Sequence, residues 1–411
     1  MPEPDTLPRS AALDAASFRL GVNYWPAQSA MGWWQQMDLA AAATDFARMR
    51  QAGCDSVRLF LLWEDFQPQP MTVDATALGH LVCLADLAAE AGIQLMPTLF
   101  TGHMSGVNWI PAWALGGSDG DKRFRIIAGG ASVTAGLLNW FTDETVLASQ
   151  VLLAHTAAEA LKGHPALWAW DLGNENSNCV IPPSREAGLA WLARITGAIR
   201  AADPTARITI GLHMEDLEED RGIGPAEAAA HCDFLCMHGY PIYADWSAGP
   251  TDELLLPFLA AITRWLGGGA EVLFAEFGLP TRRPGDPVQQ QYSEPMQAML
   301  VDELAAAAYV GRALKALHTG GSTGALLWCY ADYAQALWDQ PPFEQAVHER
   351  HFGLWRADAS PKPVVAEITA YAGHIRITPP DAAWIDLAPA DFYAAPKDNL
   401  KRLYARFRKQ H

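Results

Sequence analysis

Short runs rich in β-branched and apolar residues alternate along the chain with longer Ala/Leu-rich stretches at helical spacing. The short runs are Leu20–Tyr24, Ser56–Leu61, Gln94–Phe100, Leu167–Leu172, Arg207–Gly211, Phe234–Met237, Glu271–Ala275 and Gly324–Trp328. Helical patterns lie between them, at Asp38–Ala52, Ala75–Ala91, Asp143–Leu161, Glu186–Ala202, Glu253–Leu266 and Met296–His318. Prolines mark the edges at Asp203-Pro204 and Gly163-His164-Pro165, because the ring removes a helix donor and clashes with the preceding turn. This is the pattern of repeated βα units around a parallel sheet. Eight such units predict an α/β fold that closes as a (β/α)8 TIM barrel more readily than it spreads as an open sheet.

No internal repeat, low-complexity tract or Ser/Gly-rich linker breaks the pattern, so residues 1–377 read as one barrel domain. Residues 378–411, with Trp384 and Tyr393, read as a C-terminal extension packed on the barrel, an extra strand or arm ending in a basic helix. Its Lys and Arg residues read as a solvated face. Two connections exceed simple loops, Thr101–Thr142 after the third strand and Tyr330–Lys362 after the eighth. Long loops at the C-terminal ends of barrel strands build active-site walls.

Composition narrows the partners. Apolar content of 50% and charged content of 18% suit a soluble protein with a large core. With 29 basic and 46 acidic residues the formal charge is −17, which argues against nucleic acid and against an anionic membrane surface. It fits a neutral small-molecule substrate such as a sugar. No run is long enough to span a membrane. The opening Met1-Pro2-Glu3-Pro4-Asp5 is acidic with no apolar run behind it, and six scattered cysteines form no framework. Both features read as a cytoplasmic protein with reduced thiols. Cys232 and Cys236 lack companion residues at zinc-ligand spacing, so neither a metal site nor a cofactor is expected. The oligomeric state leaves no mark in the pattern.

Residues able to carry chemistry sit where predicted strands end. Arg58 lies in the second strand, and His103 follows the third. Asn174-Glu175 ends the fourth, His238 and Tyr240 the sixth, Glu276 the seventh and Trp328 the eighth. In a barrel these positions converge on one face, and charged groups there are costly to bury unless paired. Two carboxylates facing one cavity suit cleavage of a glycosidic bond. One stays protonated to donate to the leaving oxygen, and the other stays ionised to attack the anomeric carbon. Arg58 beside Glu276 is expected to keep that carboxylate ionised, and approaching negative charge to raise the Glu175 pKa. Tyr240 can hydrogen-bond Glu276, Asn174 the sugar 2-hydroxyl, and Trp328 offers a plate for the sugar ring.

The set Arg58, His103, Asn174-Glu175, His238-x-Tyr240, Glu276 and Trp328 resembles glycoside hydrolase clan A, whose two glutamates follow strands four and seven. Within the clan it is most similar to family 5, the superfamily of cellulases, mannanases and β-mannosidases, over roughly Leu20 to Trp328. The resemblance implies Glu175 as acid/base, Glu276 as nucleophile, and double displacement with retention. The opening Gly21-Val22-Asn23-Tyr24-Trp25-Pro26 is also similar to the first strand of family 42 β-galactosidases. A cytoplasmic enzyme meets imported oligosaccharides, and the long loops suit a closed pocket, so exo-action on β-linked oligosaccharides is expected. The opening strand and closing loop look most like β-mannosidases. β-Glucosidase, β-galactosidase, endo-mannanase and glucanase activities stay open, as does transglycosylation.

Plainer readings compete. Taken singly, Glu175 could be a helix-terminus charge and Glu276 a structural partner of Arg58. A non-catalytic sugar-binding barrel would be expected to lack one glutamate. His348-Glu349-Arg350-His351 superficially resembles a zinc-protease helix motif, but its histidines are three apart instead of four, so the segment, Glu349 included, reads as pocket lining and not as a metal site. Trp109 and Trp338 are taken as sugar platforms, alongside Trp25, Trp33, Trp34, Trp113 and Trp246. With 16 tryptophans in the chain, half of these can be packing alone. His213, after the fifth strand, faces the same rim but reads as structural.

Overall fold

The structure is a computed structural model and describes residues 16–120, 122–285, 290–292 and 297–410. The acidic opening Met1–Asp5 lies outside these residues. Eight parallel strands form the barrel: β1 Arg19–Tyr24, β2 Ser56–Leu62, β3 Gln94–Thr101, β4 Trp170–Asn174, β5 Ile208–His213, β6 Leu235–His238, β7 Val272–Phe277 and β8 Gly324–Leu327. Each pairs with its chain neighbours, and β8 closes onto β1. All eight strand windows are occupied. The largest shift of a boundary is at β4, which starts at Trp170 instead of Leu167.

The outer layer holds α1 Leu39–Gln51, α2 Ala75–Ala91, α3 Glu144–Ala160, α4 Arg185–Ala202, α5 Pro225–Ala229, α6 Leu255–Leu266, α7 Glu303–Thr319 and α8 Val364–Tyr371. Their starts are chemically marked. Asp38, Asp74, Asp143 and Ser184 each accept a hydrogen bond from a first-turn backbone N–H, a cap worth about 1 kcal/mol. The same device corrects the expected Met296–His318 helix. Asp302 accepts from Leu304 N at 2.9 Å, so α7 begins at Glu303; Met296 itself lies outside the described residues. Helix α5, of five residues, is too short to show a helical period, and the pattern missed it.

Thr101–Thr142 folds into a small sheet of His103–Met104, Val107–Trp109, Arg125–Ala128 and Ala131–Val133. The loop after β8 carries 3-10 turns at Gln335–Leu337 and Val347–His351. A third long connection, after β7, went unmarked in the pattern; in it Thr281–Arg282 pairs with Val301–Asp302, and Gln290–Tyr292 with Gln297–Met299. Beyond residue 378 the described chain holds helices and no strand. The helix α9, Pro396–Phe407, buries Leu400, Leu403, Tyr404 and Phe407, and Trp384 is wedged against Phe258 and Phe407. Its basic face is partly paired, since Arg402 and Arg406 both reach Asp386. No helix among the described residues is long and apolar enough to cross a membrane.

The main core lies between strands and helices. A second, separate cluster fills the lower barrel interior: Met96, Trp168, Ala169, Phe234, Cys236, Leu273, Ala275 and Leu326. Above it the interior turns polar.

Candidate active site

Register shifts at three strands, β3, β4 and β7, shape the upper rim. Thr209 pairs with Asp171 but Gly211 with Asn174, so β4 carries one extra residue. Met237 pairs with Phe274 but His238 with Glu276, so β7 carries one too. A third lies between Phe60 and Leu62, opposite β3. Side chains alternate faces along a strand, and a bulge inverts that alternation beyond it. Asp171 and Asn174, three apart, therefore both reach Arg58, and Glu276 arrives level with His238. Gly173 is part of this device. Its φ of +152° is open to glycine, and a Cβ there would meet the Asn176 side chain at 2.4 Å. Gly211 leaves room for the guanidinium, since a Cβ would lie 2.9 Å from Arg58 Nη2.

Arg58, fully buried, is the hub. It donates to Asp171 Oδ2 at 2.7 and 2.9 Å, Asn174 Oδ1 at 2.8 Å, Asn23 Oδ1 at 3.1 Å and Glu276 Oε2 at 3.1 Å. Thr98 also donates to Asp171, at 2.8 Å. Asn23, Thr98 and Asp171 are the members that sequence reasoning missed. Asp171 was legible as a lone acid in an apolar strand, a residue that needs a cationic partner. Tyr240 donates to Glu276 Oε1 at 2.6 Å, and Asn174 Nδ2 is held by the His103 carbonyl at 2.8 Å.

Glu175 sits beyond β4 with φ +48° and accepts from Asn178 Nδ2 at 3.1 Å. Its Oε1 lies 3.1 Å from His238 Nδ1, while His103 and His213 stand at 3.9 and 3.8 Å. His238 Nε2 is buried without a partner. Its Nδ1, on the other edge of the ring, is the atom that can donate to Glu175.

The electrostatics reverse an expectation. Burial raises the Glu175 carboxyl, but charge on His213, the His238 hydrogen bond and charge, and His103 outweigh it, leaving Glu175 below the usual range. Burial raises Glu276 as well, and there, with repulsion from Glu175, it outweighs His238, Arg58 and Tyr240. The sequence expectation had these directions the other way round. Three imidazoles surround Glu175, whereas Arg58 divides its charge between Asp171 and Glu276.

The pocket above this network is lined by His103, Asn174, Glu175, His238, Tyr240, Glu276, Trp328 and Glu349, all named from the sequence. Arg58 lies beneath it. Phe124, Asn178, Glu215 and Tyr243 join them from loops whose course the sequence pattern does not encode. His213, expected to face this rim, also lines it, as does His348. Two platforms are corrected. Trp109 is buried in the loop sheet, its indole N–H toward the Met104 carbonyl. Trp338 lines a separate cavity and stacks on Arg350. Trp25, Trp33 and Trp34 are buried against one another and neighbouring rings, Trp113 donates to the Gln67 carbonyl, and Trp246 packs on α9. None of these lines the pocket that holds Glu175 and Glu276. Glu175, His238 and Glu276 each present an atom within 4.8 Å of the others, close enough to grip a cation, but Arg58 and Tyr240 already occupy Glu276.

A closed (β/α)8 barrel with glutamates after β4 and β7 has the architecture of the clan A glycoside hydrolases. No protein-family model matches the chain. A putative mannan endo-1,4-β-mannosidase 5 of Oryza sativa subsp. japonica is 28% identical over 302 residues, covering 65% of this chain and 56% of that protein. The exo-β-1,4-mannosidase Op5Man5 of Opitutaceae bacterium strain TAV5 superposes with a TM-score of 0.69 at 27% identity, over 87% of this chain and 61% of that one. The chain thus spans less than two thirds of either. A GH5_18 structure from Streptomyces cattleya, in complex with GlcNAc, superposes with a TM-score of 0.76 at 22% identity, covering 97% and 92%. Together these show that the chain shares its (β/α)8 barrel fold with these proteins.

Proposed function

We propose that the protein is a retaining β-glycosidase acting on β-mannosides, releasing single sugars from the ends of small β-linked oligosaccharides. The observation that carries the reading is the spacing of the two glutamates, whose nearest oxygens lie within 4.8 Å. That suits retaining enzymes, in which the carboxyl groups stand about 5–5.5 Å apart; inverting enzymes need about 6.5–9.5 Å to admit a water.

Roles follow from the hydrogen bonds. Glu276 accepts from Tyr240 on one oxygen and Arg58 on the other, contacts that favour its carboxylate against the burial that raises it and aim it at the anomeric carbon. Glu175, lowered and so ionised at rest, faces nitrogen atoms of three histidines, groups able to supply the proton that it passes to the leaving oxygen. In the first step Glu276 attacks the anomeric carbon while Glu175 gives its proton to the departing glycosidic oxygen. In the second, Glu175 takes a proton from water, which attacks the same carbon and frees Glu276. Asn174, pinned by Arg58 and the His103 carbonyl, binds the 2-hydroxyl.

Mannoside preference is supported by the relatives, which include mannosidases and a GH5_18 protein in complex with Manβ1-4GlcNAc. Exo-action is supported by the closing loop, which brings Ala346, His348 and Glu349 onto the pocket. The rice relative favours endo-action as a second reading. Free thiols at Cys54, Cys83, Cys232, Cys236 and Cys329 suit a reducing compartment. The test is hydrolysis of aryl β-mannoside, β-glucoside and β-galactoside, with the released anomer followed by NMR. Retained configuration on the mannoside supports the reading. Inversion, or activity surviving in Glu276→Ala, overturns it. Monosaccharide against larger products from manno-oligosaccharides separates exo from endo.

A further inference from the structure

Bond cleavage, as described, leaves two carboxyls of the pocket without a task; Glu215 is paired with Arg123 and Arg221, and among the described residues Glu349 has no cationic partner of that kind. Glu349 comes from the closing loop and is buried. Its Oε2 accepts from Trp328 Nε1 at 3.3 Å, and its Oε1 lies 3.5 Å from His348 Nε2. That same His348 nitrogen meets the Tyr243 hydroxyl at 3.0 Å. The contact ties the loop after β8 to the loop after β6 across one end of the pocket. Tyr240, Tyr243, Phe352 and His348 pack ring against ring behind it. A carboxyl placed among rings costs desolvation free energy that a merely structural side chain would avoid.

The polarity of the cleft follows from the two glutamates. The acid faces the leaving group, and the nucleophile lies beneath the sugar that is retained. Around Glu175 stand His103, His213 and Asn178, with Phe124 edge-on to His103 at 4.4 Å; this is the leaving-group side. Glu349 stands on the other side, against Trp328. We propose, building on the exo-glycosidase reading, that Glu349 and the His348–Tyr243 tie form the end wall of the subsite for the retained sugar. The Glu349 carboxyl hydrogen-bonds hydroxyls of that terminal sugar remote from its anomeric carbon. Two carboxyl oxygens can take two neighbouring hydroxyls, and a further sugar attached at either would collide with the wall. Glu349 is then a specificity-determining residue that makes the cleft a pocket.

The test uses the full chain, with aryl β-mannoside and aryl β-mannobioside as probes. The wild type should split the mannobioside stepwise, giving mannose before the aryl group appears. Glu349→Ala should lose at least tenfold in kcat/KM on the monosaccharide glycoside, mostly through KM, and should release the aryl group directly with intact disaccharide. Glu349→Gln, which keeps the shape, should stay strictly stepwise with a raised KM. A folded Glu349→Ala variant that remains stepwise with an unchanged KM overturns the inference and leaves the proposed function standing. A wild type that hydrolyses neither probe nor any other β-linked sugar overturns both.

Discussion

The barrel interior divides into two halves built from the same strands, two residues apart. The lower half contains Met96, Ala169, Cys236 and Leu326, and the upper half Thr98, Asp171, His238 and Trp328, each two positions further along its strand. A step of two keeps the face and advances about 7 Å. The lower half is sealed by Trp168 stacked on Phe234, with Arg19 over the indole at 3.9 Å. It asks only for volume and apolarity. The upper half exchanges that apolar gain for hydrogen bonds converging on Arg58, and every buried polar group there depends on its partners. Stability and chemistry are thus stacked along one axis, which lets the rim carry strained residues such as Glu175.

The comparison can be broken most sharply at the top. Glu276→Ala should lower kcat by about 10⁴-fold or more while leaving the melting temperature close to the wild type, since Arg58 keeps Asp171. Arg58→Met removes the hub and strands Asp171, which should cost about 3–5 kcal/mol in urea unfolding as well as activity. At the bottom, Leu326→Ala opens a cavity and should cost about 2–5 kcal/mol with kcat nearly unchanged; a large loss of kcat there would mean the halves are coupled. Gly173→Ala strains a positive φ and should cost about 1–3 kcal/mol, with kcat falling because Asn174 and Glu175 are re-aimed.

The smallest effect concerns pH. Burial first, then the charges of Glu276 and Glu175, push the Glu349 carboxyl from 4.5 up to about 7. The folded protein therefore holds this proton more tightly than the unfolded chain does. Its contribution to stability is full below pH 4.5 and is lost as pH rises to about 7. Melting temperatures between pH 5 and 8 should decline less steeply in Glu349→Gln than in the wild type. Equal slopes would show that the group titrates at its ordinary value.

Much of the rim was legible because strand ends are readable. Asn174-Glu175 and Glu276 each close an apolar run, and polar residues there have nowhere to go but the mouth of the barrel. Tyr243 and Phe124 were not, because they reach the pocket on loops whose path depends on packing. Trp109 and Trp338 misled for the opposite reason: an aromatic ring suits a sugar and a core equally well, and only its neighbours distinguish the two.

The sequence alone determined the strand count, the strand order and the pair of glutamates, since these follow from periodicity and from the cost of burying charge. It also carried the caps that start α1 to α4. Only the tertiary structure decided which way those glutamates and Asn174 face. Strict alternation from Asp171 would put Asn174 on the opposite face, and strict pairing from Phe274 would set His238 beside Ala275. The extra residues in β4 and β7 reverse both. A bulge is set by how neighbouring strands must twist to close a barrel around Arg58, and no local pattern along one strand encodes it.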